Sequence, residues 1–281
     1  MELDFLAIIS KAGDGKSTFI SQMSPEYLIV DLDSRWAEQK TVGKSHVIKS
    51  HDVEEIVSEM ERLSKTEKNI GTVAYDSGTS LLDYIIAKGQ LKGDAAQESG
   101  KKFNMNAVHR TKAATMRVLR LSALRFNANV VWVFHHEDRM ESGQKRVRTS
   151  IPLTELEALK SNLNAVITIV KDQNGMRGVR VEWCRYSEVA KSQTIWDYEG
   201  MWKGVPQKLH TFIREFKGTE GYNGNAYSYK WMFDYLAKKE VKFKSVEDMK
   251  SKIGAGEPLW FDKNAWVALV EKAKSLTSEK E

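Results

Sequence analysis

Nine residues near the N-terminus have the types and spacing to hold a polyphosphate: Ser10-Lys11-Ala12-Gly13-Asp14-Gly15-Lys16-Ser17-Thr18. They follow a short apolar run, open a helical pattern, and match G-x-x-x-x-G-K-[ST] with Ser10 at the first glycine position. Gly13 and Gly15 allow a tight turn that aims backbone N–H groups at phosphate oxygens. The helix that starts there adds the positive end of its dipole. Lys16 has the reach for β- and γ-phosphates, and the Ser17 hydroxyl can ligate Mg2+. Ala12, Gly13, Asp14, Gly15, Lys16, Ser17 and Thr18 are therefore the candidate nucleotide-binding residues, and ATP with Mg2+ is the expected pair of ligands.

Three further strand tips supply candidate chemistry. Residues 70–76 form an apolar run that ends in Asp76, placed to share Mg2+ with Ser17. Residues 27–31 end in Asp31-Leu32-Asp33, and ligands of α/β sheets gather at the C-terminal ends of strands. Either acid could orient an attacking water; Asp33 is the favoured one. Residues 129–135 end in His135-His136-Glu137, where a polar side chain could sense the γ-phosphate. Zinc ligation by the histidine pair is disfavoured, since no other His or Cys lies nearby in sequence.

These tips require a particular frame. Apolar runs rich in β-branched residues recur at 3–9, 27–31, 70–76, 129–135, 164–170 and 178–184, with helical patterns at 16–23, 53–65 and about 104–127. Near-continuously apolar strands alternating with helices predict a parallel sheet covered on both faces. Helical patterning stops after Val170, and Asp172-Gln173-Asn174-Gly175 predicts a hairpin, so the sheet is expected to end in an antiparallel pair. Beyond Pro206, helices are expected at 226–239, 246–253 and 263–276, the second opened by Ser245 with Asp248 and the third capped by Asp262. Trp231, Tyr235, Trp260, Trp266 and Val270 are the expected core of that part. The predicted organisation is an α/β core over 1–205 and a small α-helical module over 206–281.

Composition narrows the class. The 281 residues are 41% hydrophobic and 29% charged, which excludes wholesale disorder. No apolar run is long enough to span a membrane, and Met1-Glu2-Leu3-Asp4 has no basic leader. Cys184 alone makes no internal disulfide, so a reducing, cytoplasmic setting is expected. Between residues 99 and 136 there are seven Lys and Arg and no acid, a local basic field that points to an anionic partner. At helical spacing Arg110, Arg117, Arg120 and Arg125 share one side, opposite Met105, Val108, Met116, Leu119, Ala123 and Phe126, while Leu121 and Leu124 interrupt the basic side. Arg139, Lys145, Arg146 and Arg148 lie in a polar stretch, 138–150, expected to be a mobile loop that orders on a phosphate backbone.

The order of these parts resembles the RecA-like P-loop ATPases of bacteriophages, a group of ATP-binding AAA-type proteins. One branch of them acts in single-strand annealing or recombination. The resemblance covers about residues 3 to 200 and rests on the phosphate loop, Asp31-Leu32-Asp33, Thr72-Val73-Ala74-Tyr75-Asp76-Ser77 and His135-His136-Glu137. It implies a RecA-like core that binds single-stranded DNA, assembles as a filament or ring, and works in the host cytoplasm. It assigns catalytic positions to Lys16, Asp33, Asp76 and His136, with His136 as the switch residue and 138–150 as the DNA-binding loop. Asp33-Ser34 stands where this branch usually has Glu-Gly, and with Ser10 it bears on hydrolysis rate more than on nucleotide binding. A cation from one subunit reaching the next subunit's nucleotide is a further implication, with Arg177, Arg180 and Arg185 as candidates. Alternative readings are a nucleotide-switched module or loader that contacts a protein partner through its helical tail, a ring helicase, and a small-substrate kinase.

Overall fold

In the computed structural model the described residues are 3–36, 43–104, 106–141, 144–149, 151–186 and 190–215, with short segments between 227 and 275. The strands are β1 (Phe5–Ser10), β2 (Tyr27–Asp31), β3 (Ser45–Ile48), β4 (Thr72–Asp76), β5 (Asn129–Glu141), β6 (Gln144–Thr149), β7 (Ala165–Lys171), β8 (Arg177–Cys184) and β9 (Thr194–Trp196). The helices are α1 (Lys16–Ile20), α2 (Val53–Thr66), α3 (Gly78–Glu98), α4 (Asn106–Ala123), α5 (Leu153–Lys160) and α6 (Val205–Glu215). One sheet runs β3-β2-β4-β5-β1-β7-β8-β9. It is parallel from β3 to β7 and antiparallel across β7-β8 and β8-β9. This is a mixed α/β fold with a mostly parallel sheet, as a P-loop NTPase core requires.

Strand alternation feeds two cores. Ala7, Leu28, Val30, Val130, Trp132 and Phe134 face α2, α3 and α4. Leu6, Ile8, Tyr27, Ile29, Val131 and Val133 face α1 and α6. Helix α2 begins at Asp52, whose carboxylate accepts the Glu54 N–H at 2.9 Å, and it buries Ile56, Met60 and Leu63 one helical turn apart. Tyr75 stacks on Trp132 with ring centroids 4.2 Å apart and donates its hydroxyl to the Leu119 carbonyl at 2.6 Å, tying β4 and β5 to α4. Among the described residues no helix is long and apolar enough to cross a membrane.

The structure departs from the sequence expectations in instructive places. Helix α3 has no counterpart among them. Its apolar residues Leu81, Leu82 and Ile85 crowd the first half, and Gly89 and Gly93 weaken the helical signal in the second. Those glycines serve packing: a Cβ on Gly89 would stand 2.5 Å from Val108 of α4. The expected mobile loop over 138–150 is largely strand. Chain continues from β5 into an antiparallel ribbon that pairs His136 with Thr149 and Glu141 with Gln144.

Helix α6 follows the sheet earlier than the first helix expected beyond it, at 226. Pro206 is the second residue of α6, where its missing N–H costs no intrahelical bond. Leu209, Phe212 and Ile213 of α6 are buried in the same core as β1 and β5, and Arg214 and His210 both bond Asp4 just before β1. Helix α6 therefore packs on the same core as the sheet. Helix Val246–Ile253 forms where expected, with the Asp248 N–H donating to Ser245 Oγ at 3.1 Å. Tyr227–Ser228 pair with Trp260–Phe261 instead of opening a helix at 226. Met105, Trp231, Tyr235, Asp262, Trp266, Val270 and most of 263–276 lie outside the described residues.

Trp132→Ala is expected to cost about 3–5 kcal/mol of unfolding free energy, because it removes a fully buried ring from the stack between strands and α4. Urea denaturation of the variant, showing a lowered midpoint with an unchanged slope, is the check.

Candidate functional site

The phosphate loop leaves β1 at Ser10 and re-enters regular structure at Lys16. Gly13 has φ 78° and Gly15 has φ 97°, so both hold the left-handed backbone that side chains disfavour. Gly15 caps α1, and its carbonyl accepts the Phe19 N–H at 2.9 Å. Ser10, at the place of the motif's first glycine, is fully buried. Its hydroxyl donates to the Asp14 carboxylate, which also accepts the Lys11 N–H at 3.0 Å and pairs with Lys171 of β7 at 2.9 Å. Burial pushes the Asp14 carboxyl up, but the Ser10 and Lys171 contacts outweigh it and hold it below its usual range. Asp14 thus braces the loop from outside.

Lys16 points inward. Only 5% of the residue is exposed, and its ammonium donates to the carbonyls of Ser10 at 3.1 Å and Lys11 at 2.6 Å. Burial lowers its pKa, partly offset by Asp76, Asp14 and Asp33 nearby. Ser17 Oγ donates to Asp76 Oδ2 at 2.7 Å. Burial pushes the Asp76 carboxyl up, with the Ser17 bond and Lys16 pulling the other way. This hydroxyl and carboxylate, converging beside the glycine cradle, form the oxygen donor set that Mg2+ takes.

The two acids after β2 do different work. The strand ends at Asp31, whose carboxylate accepts the N–H groups of Arg35 at 3.1 Å and Trp36 at 3.0 Å and so closes the turn. Asp33 lies beyond the strand, where Ser34 has φ 56°. Its carboxylate contacts His135 Nε2 at 3.1 Å and accepts from Ser77 at 3.2 Å and from Ser80. The His135 bond is the main reason its pKa falls to about 2; burial opposes this, and Ser80 reinforces it. An acid of that pKa is an acceptor that orients a water rather than a strong proton remover.

A cavity of about 340 Å³ is lined by Ala12, Gly13, Gly15, Lys16, Ser17, Thr18, Asp33 and Asp76. Arg35, given no role from sequence, joins them, together with His135, one of the expected histidine pair, and Arg177, expected to serve a neighbouring subunit's nucleotide. The histidine position is corrected by one residue. Adjacent residues of a strand face opposite ways, so only one of the pair can meet Asp33, and it is His135. His136 is half-buried outside the cavity lining, with its pKa lowered by burial. The hairpin before Arg177 is signalled by its turn residues 172–175, but nothing local says that it returns Arg177 to its own chain's loop.

The other predicted cations lie elsewhere. Arg110 is exposed on α4, and Arg117 lines a separate groove with Arg120 and Glu155. Lys112 is buried against Glu155 at 2.7 Å, and Arg125 pairs with Glu61 at 3.2 Å, so part of the basic stretch is structural. Arg180 pairs with Glu182, and Arg185 donates to the carbonyls of Lys160, Ser161 and Leu163 at the end of α5. Arg139, Lys145, Arg146 and Arg148 are on the ribbon. Its register pairs Glu137 with Arg148, Arg139 with Arg146 and Glu141 with Gln144.

Asp33 generates a pH prediction. Its folded pKa lies below the ordinary 3.8, so its contribution is present above that value and is lost as pH falls through about 2. The full contribution is about 2 kcal/mol by linkage. Asp33→Asn is expected to flatten this part of the stability profile, measured by denaturant unfolding between pH 5 and pH 2; an unaltered acid limb would contradict the assignment.

A family profile described as an AAA domain matches residues 5–185. A search of curated proteins gives no match. The matched stretch contains the phosphate loop, Asp33, Asp76, His135 and Arg177, the residues that the fold gathers around one cavity. The chain belongs to the AAA domain family and is an AAA-type P-loop ATPase.

Proposed function

We propose that this chain is an ATP-dependent, single-stranded-DNA-binding recombination or annealing protein that hydrolyses ATP with Mg2+. The observation that carries the reading is the continuity of β5. The strand runs from Asn129 through His135, which touches Asp33 in the cavity, directly into the ribbon whose two strands contain Arg139, Lys145, Arg146 and Arg148. A shift at His135 on nucleotide exchange has a short, covalent route to that basic segment.

Within the cavity the division of labour follows from the contacts. The loop N–H groups and Lys16 bind phosphate oxygens. Ser17 and Asp76 would hold Mg2+, which neutralises charge on the bridging β- and γ-oxygens. Asp33 orients the attacking water, and His135, Ser77 and Ser80 keep that carboxylate ionised and aimed. A strongly acidic Asp33 predicts slow basal turnover, and this favours DNA-stimulated hydrolysis. It is also the observation that favours the second reading, a nucleotide-switched module that contacts a protein partner. A filament or ring, and the cytoplasm of a phage-infected host, are the settings that the resemblance implies.

Steady-state ATP hydrolysis should rise severalfold with single-stranded DNA and little with duplex. Lack of stimulation, with ATP binding intact, would favour the switched module. Lys16→Ala should abolish turnover and leave the melting curve near wild type; normal turnover would refute the phosphate loop. Neutralising Lys145, Arg146 and Arg148 together should reduce the slope of log affinity against log salt by about 2, at roughly 0.7 per phosphate contact on single strands. An unchanged slope would exclude the ribbon as the contact surface.

A further inference from the structure

Three cations line the phosphate cavity, Lys16, Arg35 and Arg177, against the carboxylates of Asp33 and Asp76. Both carboxylates are engaged, Asp33 by His135 and two serines and Asp76 by Ser17. Arg177 has no carboxylate partner among the described residues. It is the first residue of β8, paired in register with Lys171, whose ammonium in turn meets Asp14 of the loop. Its guanidinium stands 2.9 Å from where a Cβ on Gly15 would be. The indole Nε1 of Trp202, a fully buried residue, is 3.0 Å from the same point and has no acceptor among the described residues. Gly15, the residue just before Lys16, is therefore flanked by two donors that lack an acceptor.

A planar guanidinium with five donors, seated on the phosphate loop with no carboxylate paired to it among the described residues, is built for phosphate oxygens. We propose that Arg177 is a phosphate-binding residue acting in cis: it engages the nucleotide held by its own chain's loop. The proposal rests on the nucleotide-binding reading above. It reverses the trans role expected from the resemblance. Arg180 and Arg185, the other two trans candidates, are occupied by Glu182 and by carbonyl groups at the end of α5.

The test uses full-length protein. Arg177→Ala should lower kcat/KM for ATP about 10²-fold, the size of effect seen when one preorganised donor is removed, with a melting temperature near wild type. Arg177→Lys keeps the charge and should recover part of that loss. The decisive arm co-expresses differently tagged Arg177→Ala and Lys16→Ala chains and purifies assemblies that contain both, or, if the protein is a monomer by light scattering, assays it as such. A cis residue gives no recovery in mixed assemblies, or full wild-type activity in a monomer. Recovery of hydrolysis in the mixture would overturn the cis assignment, and turnover by Arg177→Ala within twofold of wild type would remove the role altogether. Failure of the wild-type chain to bind ATP would remove the nucleotide reading and this proposal with it, whereas binding retained in Arg177→Ala at wild-type strength would sink only this one.

Discussion

The burial of Lys16 is the constraint on which the site depends. An ammonium taken out of water needs acceptors, and here they are the carbonyls of Ser10 and Lys11. Offering both carbonyls to one side chain forces the loop to double back, which Gly13 and Gly15 allow through left-handed backbone. Asp14, Ser10 and Lys171 hold the turn from behind. A flexible loop could supply the same chemical groups, but it would have to be ordered by each nucleotide that binds.

A second knot ties neighbouring strand tips together. Asp33 follows β2, Ser77 and Ser80 follow β4, His135 belongs to β5, and all meet at one carboxylate. The backbone N–H of His135 also donates to Thr79 in the first turn of α3. Anything that repositions Asp33 must therefore act on α3 and on β5 together. This gives the ATPase site mechanical contact with the ribbon beyond β5 and with the long α3, without a separate relay.

Much of the chemistry is legible in the amino-acid sequence, because it is local. The phosphate loop is nine consecutive residues, and its glycines, lysine and serine act through backbone turns and short side-chain reach. Asp76 is legible because a parallel strand delivers its last residue to the ligand edge of the sheet. The antiparallel ending at β7-β8 is legible in its turn residues, with Asp172 bonding the Asn174 and Met176 N–H groups. Helix α3 is not, because Gly89 answers to Val108 of α4 and Gly93 to Phe103, and these glycines carry no helical signal of their own.

The sequence by itself determined the class of the chain, an alternating α/β ATPase with its anion site at the end of the first strand. Only the tertiary structure decided which of two acids and which of two histidines face the cavity, and that α6 belongs to the core. It also decided that Arg177, more than 150 residues from the loop, sits on Gly15 of the same chain. The reason is one of range. Local motifs specify what a segment can do, whereas the direction of a side chain at a strand tip depends on pleat, strand end and the neighbours that arrive from distant sequence.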